Sequence, residues 1–189
     1  MCIRDRDSWS KYVGIIEQKK VEIINRLLRR GDEVRQMMTV VGEEGTPIED
    51  FTIMLKAEFF DSAYLQQNAF DDVDASTSVD RQRFVFDKIL EVIEGDFAFN
   101  DKDEARHTLK KISSLFINWN YAPWDESVVP ESDRQDEPMD KSAIKDDEET
   151  ERGNFKEILG QIDQYIQSLL LLKDTDKLES ENEPEQVIA

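Results

Sequence analysis

Apolar residues recur at helical spacing along most of this chain, and no segment alternates apolar and polar residues long enough to indicate a strand. The clearest pattern lies near the C-terminus, where eight apolar side chains share one helical face: Phe155, Ile158, Leu159, Ile162, Tyr165, Ile166, Leu169 and Leu170. Weaker patterns of the same kind precede it from Ser8 onward. The sequence therefore predicts an all-α fold, a helical bundle.

Glycines and caps predict where the first helices end. Gly31 follows two arginines, which is typical of a helix C-terminus, so a first helix is predicted to stop there. A short second helix should then reach Gly42. The sequence Thr46-Pro47-Ile48-Glu49 predicts a capping box with proline at the first helical position, starting a third helix that runs towards Leu65. Helices two and three would form a hairpin whose tip is acidic.

Two further helices are predicted before a change in composition. Ser78 is placed to cap a helix that ends near Gly95, and Asn100 or Asp101 to cap another that includes Trp119. These helices complete a predicted bundle domain over residues 8–122. Residues 1–7 fit no pattern and are interpreted as a non-native start.

Charge separates the last helix from this bundle. The chain has 24 basic and 43 acidic residues, a net charge of −19, which disfavours binding to nucleic acids or anionic membranes. Residues 123–154 hold four basic and twelve acidic groups with Pro123, Pro130 and Pro138, so a disordered acidic insert is predicted over 123–153. A terminal amphipathic helix, 154–172, and an acidic tail, 173–189, should follow.

The chain lacks the parts of an active site. It has one histidine, His107, one cysteine, Cys2, and no glycine-rich phosphate loop, so no catalytic residue and no metal site are predicted. His107 is interpreted as a solvated or packing residue on its helix. Asp71, Asp72 and Asp74 lack the spacing of a calcium loop and are interpreted as helix caps or solvated residues. No apolar run approaches the roughly 20 residues that span a bilayer, so no membrane insertion is predicted.

The segment Leu65-Gln66-Gln67-Asn68-Ala69-Phe70 is unusual because it joins a run of amides to a small residue and an aromatic. From composition alone, Phe70 is more typical of a core than of a pocket. The alternative is a flat ring beside Ala69 on which a planar heterocycle stacks, with the amides as hydrogen-bond partners. Such a site suits adenine better than a phosphate.

This segment, together with Ser8 to Tyr12, the region from Gly31 to Asp50 and Val73-Asp74, resembles the C-terminal helical domain of the catalytic (A) subunit of V/A-type ATPases. The resemblance implies that the chain is a truncated fragment and that Ala69 and Phe70 close over adenine, with Gln67 beside them. It implies ATP or ADP as the ligand of the parent subunit, with Mg²⁺ bound elsewhere. The parent would be an ion-translocating ATPase, while the fragment alone would not be an enzyme.

The same resemblance implies protein partners. In that family the hairpin tip contacts the central rotating shaft, which makes Glu43, Glu44, Glu49 and Asp50 the candidate contacts here, and the (B) subunit is the neighbour in the catalytic hexamer. The expected location is cytoplasmic and peripheral to the membrane. Without the resemblance, these carboxylates would be interpreted as a solvated turn. The alternative function is a free-standing acidic helical module that mediates protein interactions and binds no nucleotide.

Overall fold

The computed structural model describes residues 16–66, 68, 70, 71, 73, 77–125 and 154–180, with side chains as far as residue 170. Over these residues the chain forms five α-helices and one π-helical turn, without a strand: α1 (Gln18–Val41), α2 (Ile48–Phe60), the π turn (Asp61–Leu65), α3 (Val79–Glu94), α4 (Lys102–Tyr121) and α5 (Phe155–Ser180). The predicted all-α bundle is confirmed there. Residues 1–15, 126–153 and 181–189, which hold the predicted start, most of the predicted insert and the end of the tail, lie outside the described residues.

The predicted helix end at Gly31 is wrong. Helix α1 passes through Gly31 without a break, so the first two predicted helices are one. A Cβ atom built on Gly31 would lie 2.5 Å from the Cβ of Ala57 on α2. Glycine is needed here because two helices approach closely, and the chain does not turn at this point.

The turn between α1 and α2 is partly as predicted. Gly42 ends α1 with a φ of 77°, in the left-handed region that favours glycine. The predicted capping box is wrong, because Pro47 holds the cap position and no side chain caps the helix. The buried Thr46 instead donates its hydroxyl to the carbonyl oxygen of Gly42, 3.0 Å away, which closes the turn.

The predicted caps of the next two helices are present. The Ser78 hydroxyl accepts from the backbone N–H of Arg81 at 3.2 Å and begins α3. Asp101, one of the two predicted candidates, accepts from the N–H of Glu104 at 2.7 Å and begins α4. These caps satisfy amide groups that have no partner inside the first turn of a helix.

Helix α5 closes the bundle through aromatic contacts. The Phe155 ring lies 4.7 Å from the Trp119 ring and 5.1 Å from the Trp124 ring, measured between centroids. Further along, Ile162 and Ile166 are buried in the same core as α3 and α4. The helix continues past its predicted end at Leu172 to Ser180.

Candidate functional site

Phe70 lies on the surface of the protein. Its side chain is 97% exposed, so it does not belong to the core of the described bundle. Its backbone N–H donates to the side-chain oxygen of Asn68 at 3.1 Å, a local turn that orients the backbone. Gln67 and Ala69, the other predicted members of this site, lie outside the described residues.

The segment that carries Phe70 leaves the bundle from the π turn. The N–H of Gln66 donates to the carbonyl oxygen of Asp61 at 3.0 Å, and the Gln66 side chain donates to the Asp61 carboxylate at 2.8 Å. The hydroxyls of Ser62 and Ser113 lie 2.8 Å apart and join this turn to α4. Single π turns occur often at functional sites, because the extra residue shifts the direction in which the chain leaves a helix.

A cavity lies beside the base of this segment, where the chain returns to α3. It has a volume of about 20 Å³ and is lined by Ala63, Tyr64, Thr77, Arg81, Gln82, Val85 and Asn120. Room for about one water molecule is far too little for a planar base. Any contact between Phe70 and such a base is therefore made at the surface.

Tyr64, in the wall of this cavity, has a raised pKa. Burial, with a smaller contribution from the charge of Asp87, raises its pKa to about 12. Its ring packs against Phe60 and Phe86, with centroid distances of 5.4 and 5.3 Å. The raised pKa keeps Tyr64 neutral to a higher pH than an exposed tyrosine, and its ring serves packing.

Asp71 has a local role near Phe70. Its carboxylate accepts from the N–H of Val73 at 3.0 Å, which agrees with its interpretation as a capping residue. Asp72 and Asp74 lie outside the described residues. Among the side chains that are described, no group of three or more His, Cys, Asp and Glu residues is placed to bind a metal ion.

Two of the four acidic residues predicted at the hairpin tip form ion pairs within the chain. Glu43 pairs with Arg106 of α4 at 2.6 Å, and Asp50 pairs with Arg30 of α1 at 2.7 Å. Each arginine donates a hydrogen bond to its carboxylate, and this bond raises the pKa of the arginine. These pairs hold the tip against the bundle. Glu44 and Glu49 are exposed, as is Glu43.

The start of α4 supports the tip in two further ways. The ammonium group of Lys102 donates to the backbone oxygens of Glu43 and Glu44. The guanidinium of Arg106 lies 5.1 Å from the centre of the buried Phe51 ring. The acidic turn therefore has a defined position relative to α4.

The tip also presents apolar residues that the sequence analysis did not select. Val40 is 85% exposed and Val41 is 52% exposed at the end of α1, and Met37 is exposed one turn earlier. The two valines at the end of the first helical pattern were the sequence signal that could have indicated an apolar contact surface. These three residues and the exposed Glu44 and Glu49, all at or near the turn between α1 and α2, are here called the tip surface.

Comparison with known proteins identifies the family. The family described as the C-terminal domain of V and A type ATP synthase matches residues 19–105. This part of the chain belongs to that family. The match covers both the tip surface and Phe70.

Bacterial relatives of this C-terminal domain agree with the assignment. The V-type ATP synthase alpha chain of Treponema denticola is 49% identical over 123 residues, 65% of this chain and 21% of that protein. Alpha chain 1 of Treponema pallidum is 42% identical over 134 residues, 71% of this chain and 23% of the relative. The chain thus spans about a fifth of the length of these curated relatives. No solved structure matches it significantly.

The described part of the chain offers exposed surfaces for contact with a ligand or a protein. None of the described helices is long and apolar enough to cross a membrane. His107 is exposed on α4, and no hydrogen bond or ion pair in the described region links it to a nucleophile. Phe70 presents an exposed ring that is able to stack on a planar group, and the tip surface presents exposed apolar and acidic side chains.

Proposed function

We propose that this chain acts as the C-terminal domain of the catalytic subunit of a rotary V/A-type ATP synthase, an assembly that couples ATP hydrolysis or synthesis to proton or sodium transport. Its partners are the (B) subunit of the catalytic hexamer and the subunits of the central shaft. It works in the cytoplasm, peripheral to the membrane. The match of residues 19–105 to the family and the names of the relatives support this proposal.

Within that assembly, Phe70 contributes the wall of an adenine pocket. The observation that carries this role is its 97% exposure in a chain of this family. Full burial of a phenylalanine side chain is worth about 1.5–3 kcal/mol, and Phe70 gains almost none of it within the bundle. A ring exposed to this degree is suited to cover a ligand held mainly by another part of the subunit.

The ligand of this pocket is ATP or ADP. Ala69, next to Phe70 in the sequence, is a small residue, and Gln67 carries an amide that is able to hydrogen-bond the edge of a base, so both residue types suit such a pocket. The phosphates and Mg²⁺ are bound outside this chain, since its sequence holds no phosphate loop. The domain therefore closes over the base and leaves phosphate chemistry to the rest of the subunit.

The tip surface meets the central shaft. Glu44 and Glu49 supply exposed charge, and Val40 and Val41 supply apolar area that gains free energy when covered. Glu43 and Asp50 act differently, because their ion pairs with Arg106 and Arg30 keep the tip fixed to the bundle. A fixed tip transmits the opening and closing of the subunit to a partner.

The decisive experiment replaces Phe70 by Ala in the complete catalytic subunit and measures ATP affinity. Stacking of an aromatic side chain on a base is worth about 1–3 kcal/mol, so the Kd for ATP should rise about tenfold. The Kd for inorganic tripolyphosphate, which has no base, should not change. Because Phe70 is exposed, the thermal stability should stay the same.

Leu65→Ala is the matched control, since Leu65 is another exposed apolar residue of the same region, 52% exposed. This variant should retain the ATP affinity of the natural protein. If Phe70→Ala also retains it, Phe70 does not contact adenine.

A further inference from the structure

The chain segment that carries Phe70 is attached at both ends to the C-terminal end of α4. We propose that Arg81 and Asn120 are positioning residues that make these two attachments and so determine where the Phe70 ring meets adenine. The inference rests on the proposed function of Phe70. It adds two residues that touch no nucleotide themselves.

Asn120 attaches the end of the segment that leaves the bundle. Its side-chain N–H donates to the carbonyl oxygen of Ala63 in the π turn, 2.6 Å away. Ala63 is fully buried, and a carbonyl in the last turn of a helix has no N–H partner further along that helix. The hydrogen bond from Asn120 supplies the partner that the Ala63 carbonyl lacks within its own helix, and it holds the π turn against α4.

Arg81 attaches the end of the segment that returns to the bundle. Its guanidinium group donates to the backbone oxygens of Trp119, at 3.4 Å, and of Asn120. Arg81 is only 3% exposed, so these bonds form away from solvent. They place a positive charge at the C-terminus of α4, where the helix dipole favours it. The backbone N–H of Arg81 also donates to the hydroxyl of Ser78, the cap of α3.

A third bond strengthens the returning end. The side-chain amide of Gln82 donates to the backbone oxygen of Thr77 at 3.2 Å. Thr77, Arg81 and Asn120 all line the cavity at the base of the segment, so both attachments meet at one place. The last turn of α4 is therefore a common support for both ends.

This support matters because the Phe70 ring has little packing of its own. At 97% exposure its place depends on the backbone, which is held locally by the bond to Asn68 and at the ends by α4. Releasing one end increases the number of conformations open to the segment. The ring then spends less time where adenine binds, and the affinity falls in proportion.

The test uses Asn120→Ala and Arg81→Lys in the complete catalytic subunit, with the Kd for ATP and for tripolyphosphate as readouts. Loss of the support should raise the Kd for ATP about fivefold and leave the Kd for tripolyphosphate unchanged. The double variant with Asn120→Ala and Phe70→Ala should bind ATP no more weakly than the single variant Phe70→Ala, because each of the two substitutions removes the same contact with adenine. Asn118→Ala is the matched control, an exposed asparagine on the same helix.

The outcomes separate this inference from the proposed function. If Phe70→Ala weakens ATP binding but Asn120→Ala and Arg81→Lys do not, the positioning role is wrong and the adenine contact stands. Effects that add in the double variant, or that extend to tripolyphosphate, would indicate general loss of structure and also overturn the positioning role. No effect of Phe70→Ala would overturn both.

Discussion

Gly31 tests the close approach of α1 and α2, the contact that builds the helical hairpin. In a helix interior, Gly→Ala normally stabilises by about 1 kcal/mol, because alanine loses less backbone entropy on folding. At Gly31 the added methyl group would lie 2.5 Å from the Cβ of Ala57, well below the normal carbon contact of about 3.5–4.0 Å. Neither atom is at the end of a flexible side chain. Overpacking of this kind costs about 1–3 kcal/mol.

Gly31→Ala should therefore lower the free energy of unfolding by about 1 kcal/mol, the clash exceeding the gain in propensity. Gly160→Ala is the matched control. Gly160 lies within α5, and a Cβ built there meets no atom within 4 Å, so this variant should gain stability. The same chemical change is thus expected to have opposite signs at two helical glycines.

Urea denaturation followed by circular dichroism measures both variants in the 189-residue chain. A double variant, Gly31→Ala with Ala57→Gly, exchanges the two residues across the contact. It should be more stable than the sum of the two single changes predicts, since the clash is gone. If Gly31→Ala stabilises the chain as much as Gly160→Ala does, the close approach of α1 and α2 is refuted.

Two further predictions concern the cavity wall and the tip surface. Burial raises the pKa of Tyr64 to about 12, so above the unfolded value near 10 only the unfolded chain ionises there, and stability falls with rising pH. Between about pH 9 and about pH 11 the natural chain should lose about 1 kcal/mol more unfolding free energy than Tyr64→Phe, which has no group to ionise there. Equal losses in the two proteins would contradict the raised pKa of Tyr64. At the tip surface, Val40→Asp should weaken binding of isolated shaft subunits to the catalytic head about tenfold in biolayer interferometry, while Glu157→Lys on α5 should not. Unchanged binding by Val40→Asp would remove the tip surface from the shaft contact.

Much of the fold follows from local sequence signals. The spacing of apolar residues predicted the helices, and Ser78, Asp101 and Gly42 marked boundaries that the structure contains. These signals are reliable because a cap or a left-handed glycine acts on backbone groups within one helical turn. Local sequence signals did not predict the candidate site. Composition alone favoured a core position for Phe70, and only the family resemblance predicted a ligand contact.

Contacts between distant residues decided the remainder. Gly31 has the local appearance of a helix end, and its real role depends on Ala57 of another helix. Thr46 has the appearance of a cap, yet its hydroxyl closes the turn at Gly42. The hydrogen bonds from Arg81 to α4 and from Asn120 to the π turn likewise carry no sequence signature, because each side chain donates to a backbone oxygen, a group that every residue possesses. Sequence determines which helices form, whereas packing selects among the roles that glycine, threonine and asparagine are equally able to fill.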